Sequence, residues 1–195
     1  MSKTVIAFHG LMGSGKTTHC TRLLIDIQRM TDLHVEVVGI KTMFNSAATA
    51  LYDEVEPYLT EDQKLLVKKK IQRTISTCAE EFVPGVWSNK YAKTVNSAKH
   101  NAVFLTDDIR TEANIQALTE LASSGNNVVL FQLEAAEDIR RKRCTAWREG
   151  DCYTEQSLKK PEQLSPNFEW HVLDAALPLS EMNQQIDGIV LPKLG

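Results

Sequence analysis

The sequence lacks most of what marks a membrane-spanning, secreted or nucleic-acid-coating protein. No apolar run approaches the length needed to cross a bilayer. Four cysteines stand at 20, 78, 144 and 152 with no C-x-x-C pair. That excludes a disulfide scaffold and gives no zinc module, so reduced, partly buried thiols are expected. The five histidines, at 9, 19, 34, 100 and 171, show no metal-ligand spacing. Positive charge is not in excess either. Its 22 Lys and Arg against 25 Asp and Glu leave a net charge of −3, which argues against a general nucleic-acid or membrane surface. The chain enters an apolar segment almost at its first residue, so no signal peptide is expected and a cytoplasmic location follows. No internal repeat or low-complexity stretch is present.

What is present is the composition of a globular chain: 43% hydrophobic and 24% charged over 195 residues, enough to bury one core. Within it, residues 10 to 17 read Gly10-Leu11-Met12-Gly13-Ser14-Gly15-Lys16-Thr17, a full match to G-x-x-x-x-G-K-[ST]. The apolar run Val5-Ile6-Ala7-Phe8 before it reads as a buried strand. Thr18 to Met30 after it carries Leu23, Leu24 and Ile27 at helical spacing. Strand, glycine-rich turn and helix in that order make a P-loop, whose backbone N–H groups converge on a phosphate at the helix start. Gly10 to Thr18 are therefore expected to bind ATP. Lys16 supplies the point charge for the outer phosphates, and Thr17 a hydroxyl ligand for Mg2+.

Further strands are expected at Val35–Ile40, Ala102–Leu105, Val128–Leu133 and Phe168–Leu173. The intervening segments read as helices, so the chain predicts an α/β fold: a P-loop NTPase with a five-stranded parallel sheet in three layers, α/β/α. Residues 46–96 have no strand pattern and read as a helical acceptor-binding insertion in a single domain whose core is 1–45 and 97–195. One long helix there is to bury Val67, Ile71, Thr74, Ile75, Cys78 and Phe82, with Lys68, Lys69 and Lys70 as a solvated face. Residues 144–167, polar and irregular, read as a lid.

The third strand runs into Thr106-Asp107-Asp108, where P-loop proteins hold a metal. Asp108 is assigned there as metal ligand and catalytic group, and the other aspartate is left as the N-cap of a helix starting near Ile109. A helix expected over Ala135–Trp147 carries Arg140, Arg141, Lys142 and Arg143. Arg140 and Arg143 are assigned to the charge of the transferred group. A short chain with an insertion after the second strand and a basic helix and lid after the fourth points to a small-molecule kinase. The other class open to a P-loop is a nucleotide-dependent switch without a small-molecule acceptor.

From Asp108-Ile109-Arg110, the spaced Arg140 and Arg143, Thr154-Glu155-Gln156-Ser157-Leu158 and the closing strand and helix, the chain resembles the phage-type deoxynucleoside monophosphate kinases. It is also similar to the animal-type phosphomevalonate kinases. It departs from them with Gly-Lys-Thr for Gly-Lys-Asp, Thr154 for a serine and Asp174 for an asparagine. The resemblance implies transfer of the γ-phosphoryl group of ATP, with Mg2+, to a (deoxy)nucleoside monophosphate, and adds Arg110 to the catalytic set. Phe44, Phe82, Trp87 and Tyr91 are candidates to carry the acceptor's base, and Arg73 and Lys90 its phosphate. A phosphomevalonate-like acceptor stands as the alternative. No nucleic-acid or membrane partner is expected, and a homodimer is left open.

Overall fold

The computed structural model describes residues 3–98, 101–109, 111–144 and 168–194. Its centre is a five-stranded sheet of β1 (Thr4–Gly10), β2 (His34–Val37), β3 (Ala102–Ile109), β4 (Asn127–Glu134) and β5 (Trp170–Asp174). The strands lie in the order β2-β3-β1-β4-β5, and every pairing is parallel. A central parallel strand is covered on both faces, which is why β1 and β3 are near-continuous apolar runs, buried at every residue.

Side chains alternate across the sheet and build two cores. On one face Ile6, Phe8, Val103 and Leu105 meet α1 (Lys16–Met30) through Cys20, Leu23 and Ile27, and α7 (Leu179–Val190) through Met182, Ile186 and Val190. On the other, Val5, Ala7 and Phe104 meet α4 (Val86–Ser97) and α5 (Glu112–Ser123) through Tyr91, Val95, Ile115 and Leu118. The three expected layers are present. No helix among the described residues is long and apolar enough to cross a membrane.

Three local readings change. β2 stops at Val37 instead of Ile40, because the Ile40 and Lys41 N–H groups donate to the Asp108 carboxylate, at 3.0 and 2.6 Å, and not to a strand. The chain turns there directly into α2 (Thr42–Val55), which is followed by α3 (Glu61–Phe82) and α4, so the helices between β2 and β3 begin at 42. The start of α5 is capped by Thr111, with Asn114 completing a capping box. Neither Asp107 nor Asp108 is the cap.

On α3 the expected apolar stripe is only half right. Val67, Ile71 and Ile75 are half-buried, whereas Thr74, Cys78 and Phe82 are exposed, Phe82 to 82%. The helix packs on α2 and α4, and in its last turn Ala79 and Glu80 are half-buried while Phe82 faces solvent. The basic helix α6 is described over Glu137–Arg143. It begins two residues later than expected, with Ala136 as its N-cap, and Cys144 caps its end; the rest of its expected length and of the expected lid, 145–167, lies outside the described residues.

Candidate active site

Between β1 and α1 the chain folds back through Gly10, Gly13 and Gly15, all with positive φ. At two of these only glycine fits. A Cβ on Gly10 would stand 2.6 Å from the Leu133 carbonyl oxygen, and one on Gly13 would stand 2.6 Å from that of Arg140. The loop is thus pressed between β4 and α6, with its inner side facing a cleft of about 830 Å3. Gly10 through His19 line that cleft. The Lys16 ammonium, buried, donates to the Gly10 and Leu11 carbonyls at 2.7 and 2.8 Å and so lies across the mouth of the loop.

At the carboxyl end of β3 the alternation of side chains decides which aspartate faces the loop. Asp107 points to the α1 side, where its Oδ2 accepts the Thr17 hydroxyl and its Oδ1 accepts the Lys41 ammonium at 3.1 Å. Burial pushes this carboxyl up. The Thr17 hydrogen bond and the charges of Lys41 and Lys16 more than offset that and hold it below the usual value. Asp108 points the other way. Besides the Ile40 and Lys41 amides it accepts the Thr106 hydroxyl at 2.7 Å. The assignment of Asp108 to the metal is therefore corrected: its oxygens are spent on fixing the β2–α2 turn, and the carboxylate beside Thr17 is Asp107.

A hydroxyl and a carboxylate are the hard oxygens that Mg2+ takes alongside phosphate oxygens and water. No trio of His, Cys, Asp or Glu gathers elsewhere among the described residues to hold a metal. Thr17 and Asp107 fit that cation.

The opposite wall comes from α3, where Lys69, Gln72 and Arg73, spaced at i, i+3 and i+4, line the cleft on one helical face. Of the lysine triplet, then, Lys69 faces the site, while Lys68 lies over the Tyr52 ring. Arg143 also lines the cleft and donates to the Ala175 carbonyl at 2.5 Å. Beyond it, Ala175, Leu177, Leu179 and Met182 give an apolar end against His19. His19 is held below its ordinary pKa by burial and by the charges of Arg22 and Arg143.

Several expected site residues are placed elsewhere. Arg140, 3% exposed, is behind the loop, giving Nε to the Ala135 carbonyl at 3.0 Å and Nη1 to the Met12 carbonyl at 3.1 Å. It braces the cradle and does not line the cleft. Tyr91 is fully buried in the core on the far face of the sheet. Trp87 packs on Phe44, with ring centroids 5.4 Å apart, and donates Nε1 to the Ser76 carbonyl. Lys90 donates to the Met43 carbonyl at 3.0 Å, tying α4 to α2. None of Phe44, Phe82, Trp87, Lys90 and Tyr91 lines the cleft, whereas Arg73 does. Arg110 lies outside the described residues.

Lys41 and the apolar end are not singled out by the sequence, whose pattern puts Lys69 on a solvated face and makes Asp107 a helix cap. For Asp107 a signal existed in the strand period, since Leu105 and Asp107 share a face and Phe104 and Asp108 share the other. For Lys41 and Lys69 there was none.

No protein-family model matches the sequence, and no curated protein does. Among solved structures the chain is similar to a gluconokinase from Sinorhizobium meliloti 1021, with TM-score 0.58 and 15% identity over 98% of this chain and 93% of that one. It is also similar to a sugar kinase from Janibacter sp. HTCC2649, with TM-score 0.50 and 13% identity over 100% of this chain and 99% of that one. At these identities the likeness shows the fold alone, an α/β fold with a five-stranded parallel sheet between helices.

Proposed function

We propose that the protein is an ATP- and Mg2+-dependent kinase of a small phosphorylated molecule, taking a (deoxy)nucleoside monophosphate to the diphosphate. The observation that carries this reading is the charge of the cleft. Lys16, Lys41, Lys69, Arg73 and Arg143 all line it, and Asp107 is the sole carboxylate among the described lining residues. A hydroxyl acceptor needs a base to take its proton. A phosphate acceptor is already a nucleophile and needs its charge neutralised. The cleft has cations in number, and its one described carboxylate, Asp107, already accepts from Thr17 and Lys41, while the His19 imidazole lies against the apolar end. The nucleoside part of the acceptor rests on the sequence resemblance.

In this reading the loop amides and Lys16 bind the β- and γ-phosphates, and the apolar end at Ala175–Met182 takes the donor's base. Thr17 and Asp107 hold Mg2+, which when bound neutralises the donor phosphates. Lys69 and Arg73 orient the acceptor phosphate for in-line attack. Arg143 adds positive charge where the transferred group passes.

A second reading follows from the names of the structural neighbours: a sugar or sugar-acid hydroxyl as acceptor, with Asp107 as the base. The purified protein, given ATP and a panel of monophosphates, sugar phosphates, sugars and gluconate, separates the two. Diphosphate product is expected, together with a rise in acceptor KM of roughly tenfold for Lys69→Ala and for Arg73→Ala while the KM for ATP stays put. Turnover of an unphosphorylated sugar and of no phosphorylated compound would replace this reading by the second.

A further inference from the structure

We propose that Lys41 is a catalytic residue whose ammonium yields Asp107 to the incoming divalent cation and moves onto the phosphoryl group in transit. The inference rests on the kinase reading above and adds to it a group the sequence did not mark.

The geometry behind it is a shared carboxylate. Each Asp107 oxygen has one partner, the Thr17 hydroxyl on Oδ2 and the Lys41 ammonium on Oδ1. One of these contacts survives a metal at that place: the Thr17 hydroxyl can ligate through a lone pair while its proton still goes to Asp107. The Lys41 contact is the one that competes. An ammonium and a divalent cation at one carboxylate repel each other.

What can move is set by the neighbouring aspartate. The Lys41 main chain is pinned by its N–H to Asp108 at 2.6 Å, with the Ile40 N–H on the other oxygen at 3.0 Å. The Lys41 side chain is 52% exposed and lies in the cleft, whereas Asp107 is 7% exposed and fixed at the strand end. The flexible stem therefore swings and the carboxylate stays. Inside the cleft the other described charged groups near the loop are cations, Lys16, Lys69, Arg73 and Arg143. The anions left for a released ammonium are the substrate's own phosphates. Only ionic partners are exchanged, and Lys41 keeps its proton throughout.

Two full-length variants, Lys41→Met and Lys41→Arg, test this, with Mn2+ as the probe titrated in the presence of ADP by electron paramagnetic resonance, and with ATP turnover measured beside it. Removing the competing ammonium is expected to tighten Mn2+ binding about threefold. The same change is expected to slow turnover about a hundredfold, with Lys41→Arg recovering part of the rate. Metal affinity and rate moving in opposite directions is a signature that a supporting role would not give. Weaker Mn2+ binding alongside a slower rate, a rate within a few-fold of wild type, or early melting of Lys41→Met would each overturn the proposal. A wild-type protein that binds neither ADP nor Mn2+ would overturn the kinase reading itself, and this inference with it.

Discussion

Two adjacent aspartates show how far a single residue's role depends on which way it faces. Asp107 touches Thr17 at the end of the glycine-rich loop, and Asp108 holds the turn that presents Lys41. Their isosteric amides should separate accordingly. Asp107→Asn is expected to cut turnover about a hundredfold while leaving the urea midpoint nearly unchanged. Asp108→Asn puts an NH2 against donors that need an acceptor, and is expected to cost about 2–3 kcal/mol of stability in the same urea titration. Equal stability losses in the two variants would show that the division of labour drawn here is wrong. The sequence made the pair visible as an acidic strand end, but the choice between them needed the face against which α1 packs.

At the scale of elements, the P-loop is held from outside by the helix that was expected to face inwards. α6 contributes a main-chain carbonyl that a Cβ at Gly13 would strike, and the Arg140 guanidinium that bonds the Met12 carbonyl. Gly13→Ala, with φ at +80°, is expected to lose about 2–4 kcal/mol of stability and most ATP affinity. Arg140→Met should raise the KM for ATP roughly tenfold with kcat almost unmoved, because a brace lost behind the loop weakens binding more than transfer. A thousandfold fall in kcat at constant KM would instead return Arg140 to the transferred phosphate. The basic run 140–143 was legible as unusual. Its periodicity could not say that Arg140 and Arg143, almost one turn apart on a helix of seven residues, would part, Arg140 bonding the Met12 carbonyl behind the loop and Arg143 the Ala175 carbonyl in the cleft.

For the molecule as a whole, two histidines give acid sensitivity. His19 is held below its ordinary value of 6.5 by burial first, then by Arg22 and Arg143. His171 is lowered by burial and by Lys193, against the opposing effect of Glu169. Both resist protonation when folded and accept it when unfolded. Stability is thus complete above about pH 6.5 and falls as pH drops from there through the lowered folded values. Urea midpoints measured from about pH 7.5 down to about pH 5 should decline, and His19→Gln with His171→Gln should flatten that part of the curve. An unchanged slope in the double variant would assign the acid sensitivity to carboxylates.

What the sequence determined by itself is the part whose physics is local or periodic. The glycine spacing, the lysine and the threonine make a phosphate cradle wherever a strand precedes them and a helix follows. Apolar runs alternating with helical stripes leave a covered parallel sheet as the way to bury them. The tertiary structure decided which side chains share the cleft. Asp107 and Lys41 meet because β3 and the end of β2 are neighbours in the sheet, and α3 brings Lys69 and Arg73 across from the loop. Of the aromatic side chains expected to cradle a base, Phe44, Trp87 and Tyr91 were drawn into packing. Such encounters depend on the relative placement of elements far apart in the chain, and no window of residues carries that information.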